Sequence, residues 1–249
     1  NQGFYFMKLR IMSAFVVCFI CGCVTVTEQE AGKKIDRIKL ADARISLGLG
    51  YLYSGNWLKA RENLELALNY APNYYRSLNS IAYYYQQVGE TDLADKNYKK
   101  ALRQSPKNGD VLNNFGVFLC KLGKYEHADE LFNRAIKQPH YYQVSDSYEN
   151  AALCSLKSGN KNKAANYFRR SLDYDPNRYV ALFQLSKLDV ETENYDIARI
   201  RLLKIHKKFG YQASSLELLI ETEEKAGNKQ LAKKYASILD TEFPDSNKY

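Results

Sequence analysis

The chain has 249 residues, 45% of them hydrophobic and 26% charged with only five prolines, a balance that excludes an extensively disordered polypeptide. Its formal charge of +8 falls to about +6 once Lys8 and Arg10 are set aside with an N-terminal export segment. The remaining basic residues are spread along the chain and mixed with acids, which argues against nucleic acid as a partner and leaves a mild attraction to anionic surfaces or acidic segments.

Met7 reads as the true start. Lys8 and Arg10 precede an apolar run from Ile11 to Ile20 that is too short for a permanent spanning helix, which needs roughly twenty apolar residues. Residues 1–22 are therefore expected to be a signal peptide. Ile20, Cys21, Gly22 and Cys23 resemble a bacterial lipobox, in which Cys23 becomes the acylated first residue of the mature protein; an ordinary cleaved signal or a short anchor is the alternative. Cys21 stands where Ala or Ser is commoner. By the sorting rule of such lipoproteins, Val24 after the cysteine implies the outer membrane. Residues 23–35 are expected to form the lipidated end and a polar tether, reaching at most roughly 45 Å.

From there the chain repeats every 34 residues. Gly55, Gly89, Gly123, Gly159 and Gly227 each stand five residues before an alanine, and Pro72, Pro106, Pro176 and Pro244 close four of the repeats. Six repeats are laid down over 41–74, 75–108, 109–144, 145–178, 179–212 and 213–246, within an array spanning 36–244 and a frayed tail at 245–249. The third carries a two-residue insertion near Gln138 to Tyr142. Leu47, Gly48, Tyr51, Trp57, Ala60, Leu64 and Pro72 match the tetratricopeptide pattern. The predicted fold is thus all-α, a right-handed superhelix (α-solenoid) of six helix pairs, because such pairs bury their apolar faces only by stacking. Small residues at the eighth and twentieth positions (Gly48 with Ala60, Gly116 with Ala128) should let paired helices approach. Large ones at the twenty-fourth (Leu64, Tyr98, Phe132, Phe168, Leu202) should fill the space behind them. The later repeats diverge: Ser155, Asp189 and Glu223 replace the usual large residue at the eleventh position, and Glu193 replaces the turn glycine.

The concave wall is expected to be lined by the second, fifth, ninth, twelfth and thirteenth positions of each repeat. In the first repeat these include Ile45, Leu49, Leu52 and Tyr53, an apolar patch; the later positions Asn79, Tyr83, Gln86 and Asn113 are polar and suited to the backbone of an extended peptide. A helix over Asp36 to Leu40 that covers the patch is the alternative. Cys120 and Cys154 fall on the first helices of repeats three and four, where an oxidising periplasm permits a disulfide; two buried free thiols are the other reading. His127, His140 and His206 share no metal-ligand spacing, and no nucleophile, Walker or dinucleotide motif occurs, so no metal, cofactor, small-molecule substrate or catalysis is expected.

Lipobox, tether, six repeats and the cysteine pair together resemble the PilF/PilW family of type IV pilus biogenesis lipoproteins, over residues 7 to 244. The resemblance implies a pilotin: an outer-membrane lipoprotein, facing the periplasm, that binds secretin subunits and promotes their localisation or the stability of their multimer. The patch Ile45, Leu49, Leu52 and Tyr53 would then receive an apolar secretin segment. A periplasmic scaffold for cell-wall hydrolases or outer-membrane assembly factors is the competing function.

Overall fold

A computed structural model describes residues 25–244, with residues 25–31 described as helical backbone only. The expected signal peptide, the expected acylation position Cys23 and the expected frayed tail at 245–249 lie outside the described residues. Twelve α-helices and no strands are found among the described residues, so the all-α repeat expected from the 34-residue period is present. The chain forms two compact units, divided after Gln104.

The first unit holds α1 (Thr25–Tyr53), α2 (Trp57–Tyr70), α3 (Tyr75–Gln87) and α4 (Thr91–Gln104). The second holds α5 (Gly109–Lys121), α6 (Tyr125–Ile136), α7 (Val144–Lys157), α8 (Lys161–Tyr174), α9 (Tyr179–Glu191), α10 (Tyr195–Phe209), α11 (Ala213–Lys225) and α12 (Lys229–Glu242). Each repeat contributes one pair. Asparagine side chains start two of the second helices: Asn56 Oδ1 accepts from the Lys59 amide at 3.2 Å and Asn160 Oδ1 from the Lys163 amide at 3.1 Å.

One boundary differs from expectation. Residues 25–34, predicted as a polar tether, continue α1, which runs unbroken for 29 residues. The segment contains no proline and is rich in residues of good helix propensity, so nothing local stops the helix before the repeat begins. Asp36 to Leu40 belong to the same helix; they do not fold back over the first repeat.

The packing follows the sizes of the side chains. Leu64, Tyr98, Phe132, Phe168 and Leu202 are all fully buried. A Cβ added at Gly48 would stand 2.6 Å from Leu64 Cγ, and one at Gly116 would stand 2.8 Å from the Phe132 ring, so these glycines are what allows the paired helices to close. The turn after each first helix needs a left-handed residue. Glycine supplies it in five repeats with φ of 74 to 81°, whereas Glu193 is held there at φ 61° despite its Cβ.

The irregular features are absorbed locally. In the insertion of repeat three, the Tyr141 ring packs on the bare backbone of Gly109, where a Cβ would approach it to 2.3 Å. Its hydroxyl meets Ser147 Oγ at 3.0 Å, and burial pushes the phenol up to about 12. The acids at the eleventh positions are met by arginines of α10. Arg199 forks onto the fully buried Glu223, with Nη2 donating to Oε2 at 2.7 Å, and Arg201 pairs with Asp189 at 3.1 Å. Cys120 on α5 and Cys154 on α7 are joined by a disulfide with their Cα atoms 5.8 Å apart.

Candidate partner-binding face

The expected groove residues separate into three groups. Ile45 and Leu52 do not line a groove, being only 2% and 5% exposed. Ile45 packs with Ala41, Ala67 and Ala71, and Leu52 packs with Ala60, Leu64, Ile81 and Tyr84. They stand seven residues apart, two helical turns, on the stripe of α1 that meets α2 and α3, so the apolar character that marked them as a binding patch is spent in the core. Asn113, in the second unit, is also removed from the expected set. It is 7% exposed, and its Oδ1 accepts from Ser147 Oγ at 3.0 Å and from Asn150 Nδ2 at 3.1 Å. Its polarity holds α5 to α7 and is not offered outward.

Four residues of the first unit, Leu49, Tyr53, Tyr83 and Gln86, remain available. Tyr53, the last residue of α1, is 74% exposed. Leu49 is half-buried and touches both core clusters, so one edge of it stays open. Tyr83, one repeat along, is half-buried; burial raises its phenol and the neighbouring Tyr53 hydroxyl adds to the effect. Gln86 Oε1 accepts from the Tyr98 hydroxyl at 2.9 Å, which fixes the amide and leaves its NH2 to donate. Asn79 is half-buried, and its Oδ1 is buried without a hydrogen-bond partner among the described residues, so that oxygen is not offered outward. At the α1–α2 turn, Trp57 and Leu58 are exposed as well, at 47% and 69%. Leu49, Tyr53 and Tyr83 offer apolar and aromatic surface, and Gln86 offers a donor group. That is the chemistry of a short peptide segment and not of a reacting centre.

The rim at the second position is already occupied. Asp42 accepts from Arg76 Nη1 at 2.7 Å and from the Tyr74 hydroxyl at 3.3 Å. Burial raises the Tyr74 phenol, with Arg76 opposing. Among the described residues no cluster of His, Cys, Asp or Glu could hold a metal ion, and no helix is long and apolar enough to cross a membrane.

The sequence reading missed a second feature of this unit. A cleft of about 600 Å³ lies between the first half of α1 and the α2–α3 turn, lined by Lys33, Lys34, Arg37 and Ile38 on one side and by Tyr70, Ala71, Pro72, Tyr74 and Tyr75 on the other. The alternation of cations with Ile35 and Ile38 was the available signal. It is visible only once residues 25–40 are read as helix instead of tether.

Sequence profiles of the tetratricopeptide repeat match residues 75–108, 97–130 and 145–178. The type IV pilus assembly protein PilF of Pseudomonas aeruginosa is 31% identical over 245 residues, 98% of this chain and 97% of that protein. An uncharacterized protein of Haemophilus influenzae is 38% identical over 148 residues, covering 59% of this chain and 80% of its own length. Among solved structures, that of P. aeruginosa PilF superposes with a TM-score of 0.75 at 32% identity, covering 85% of this chain and 95% of PilF. PilW, a type IV pilus biogenesis factor, gives 0.74 at 26% identity, covering 83% and 95%.

Proposed function

The chain belongs to the PilF/PilW family of type IV pilus tetratricopeptide-repeat proteins, and on that premise we propose that it is an outer-membrane lipoprotein that binds secretin subunits during pilus biogenesis. The single observation that carries the site is the face of the first unit where Leu49, Tyr53 and Tyr83 stay open beside the Gln86 amide. An apolar secretin segment lies against the tyrosines while the Gln86 NH2 donates to its backbone.

The mechanism is carriage. Acylated Cys23 commits the chain to a bilayer, and whatever the repeats hold is moved with it and kept from aggregating before assembly. The Cys120–Cys154 bond supports an oxidising compartment, since such bonds persist in the periplasm and are rare in the cytosol.

The test is Tyr53→Asp. Tyr53 is exposed, so the fold and melting temperature should be unchanged while heat-resistant secretin multimers are lost from envelopes. Normal multimers in that variant would remove this face from the account. A pull-down from detergent-solubilised envelopes that returned cell-wall hydrolases and no secretin would favour the scaffold function instead.

A further inference from the structure

The cleft on the first half of α1 is unlike the partner face. Its lining carries three cations, Lys33, Lys34 and Arg37, and no carboxylate. None of the three pairs with an acid among the described residues, and Lys100 stands beside the cleft with its ammonium on the Pro72 carbonyl at 2.9 Å. The floor is apolar, made by Ile38, Ala71 and Pro72, with tyrosine rings beside it. Ile35 and Leu40 on the same stretch of helix are about half exposed, at 54% and 49%. Cations around an apolar floor, with amphipathic rings and exposed aliphatics alongside, match the boundary between lipid headgroups and acyl chains.

Position favours the same occupant. Residue 25, two residues after Cys23 in the sequence, is already helical, so little chain separates the lipid from the helix. At 1.5 Å per residue, Lys33 to Arg37 stand roughly 12 to 18 Å along the helix from its first residue, within reach of headgroups if the helix leans onto the surface. An acidic peptide would satisfy the charge but would not account for the exposed Ile35 and Leu40.

We propose that this cleft takes the phosphate headgroup of an anionic phospholipid and seats the first unit against the bilayer. The proposal rests on the membrane placement above only in that something must hold the chain at a bilayer. That role falls to acylated Cys23 or, failing acylation, to the apolar segment from Ile11 to Ile20.

The experiment uses the full chain reconstituted into vesicles of phosphatidylcholine alone or mixed in equal parts with phosphatidylglycerol. A water-soluble amine reagent labels lysines, and mass spectrometry reads each site. At about a fivefold effect per cation near an anionic surface, Lys33 and Lys34 should label at least about fivefold less in the phosphatidylglycerol vesicles. Exposed Lys59 and Lys96 of the same unit should not change, and salt near 1 M, where the screening length is about 3 Å, should restore labelling. Arg37→Glu keeps both reporter lysines and should cut their protection by more than half. Equal labelling in the two vesicles would overturn the proposal. So would protection by soluble polyglutamate or by glycerol phosphate over phosphatidylcholine as strong as that given by phosphatidylglycerol. Secretin capture by the same vesicles is scored separately, so loss of lipid protection with capture intact rejects this cleft alone, and the converse rejects the partner face alone.

Discussion

Reducing the Cys120–Cys154 bond should lower the melting temperature by roughly 10 °C. The bond joins residues 34 apart in sequence on α5 and α7 and so closes a loop containing the whole of α6 and the insertion of repeat three. Loop-closure entropy for a ring of this size gives about 3.8 kcal/mol of stabilisation through restriction of the unfolded chain. For a protein of this length each kcal/mol moves the midpoint by about 2 to 4 °C, hence roughly 8 to 15 °C. The assay is thermal unfolding by circular dichroism with and without reductant, paired with thiol titration in denaturant. The Cys120→Ala/Cys154→Ala double variant controls for reductant, to which it should be indifferent. Thiol labelling at Cys120 and Cys154 in the air-oxidised chain, or a shift under about 2 °C on reduction, would refute the reasoning.

Three further outcomes are expected. Glu193→Gly should stabilise the chain by about 1 kcal/mol, because Glu193 is exposed and held at φ 61° where a Cβ is unfavourable; an unchanged or lowered urea midpoint would count against the strain. Glu223→Gln should cost about 2 kcal/mol at neutral pH by removing the buried one of the two carboxylates that Arg199 holds, Asp196 being the other. Arg199 holds the Glu223 carboxyl below its usual range, so the stabilisation it gives is complete above about pH 5 and lost as pH falls through about 4 and below. Urea midpoints of parent and variant should therefore converge on acidification, and a constant gap would contradict the pairing. Cys23→Ser should shift the chain and its secretin together away from outer-membrane fractions, and unchanged fractionation of secretin would end the carriage mechanism.

The regular part of the fold was legible because the repeat uses residue size directly. Gly48 against Leu64 and Gly116 against Phe132 are steric requirements, and the period exposes them. The irregular part was legible only as departures. Glu193 announced that glycine was missing from a turn, but not that the turn would keep the same left-handed geometry with a side chain in place. Asp189 and Glu223 read as weakened repeats, because their partners Arg199 and Arg201 stand outside the repeat pattern. The site was less legible for a related reason. Position along a helix gave the stripe containing Ile45, Leu49 and Leu52, yet an apolar residue on a helix edge looks the same whether it meets solvent or a neighbour. Only packing against Ala67, Ala71, Ile81 and Tyr84 decides that Ile45 and Leu52 are core. Asn113 misled in the same way, as a polar residue whose bonds run to Ser147 and Asn150. The basic cleft was hidden because a polar stretch after a lipobox-like cysteine was expected to be a tether.

The most direct test of the central claim is photocrosslinking in cells with a photoreactive amino acid placed at Tyr53, at Tyr83 and, as a control, at the exposed Ile200 of α10. The account predicts a secretin adduct from positions 53 and 83 and none from position 200. Adducts absent at 53 and 83, or formed equally at 200, would contradict it.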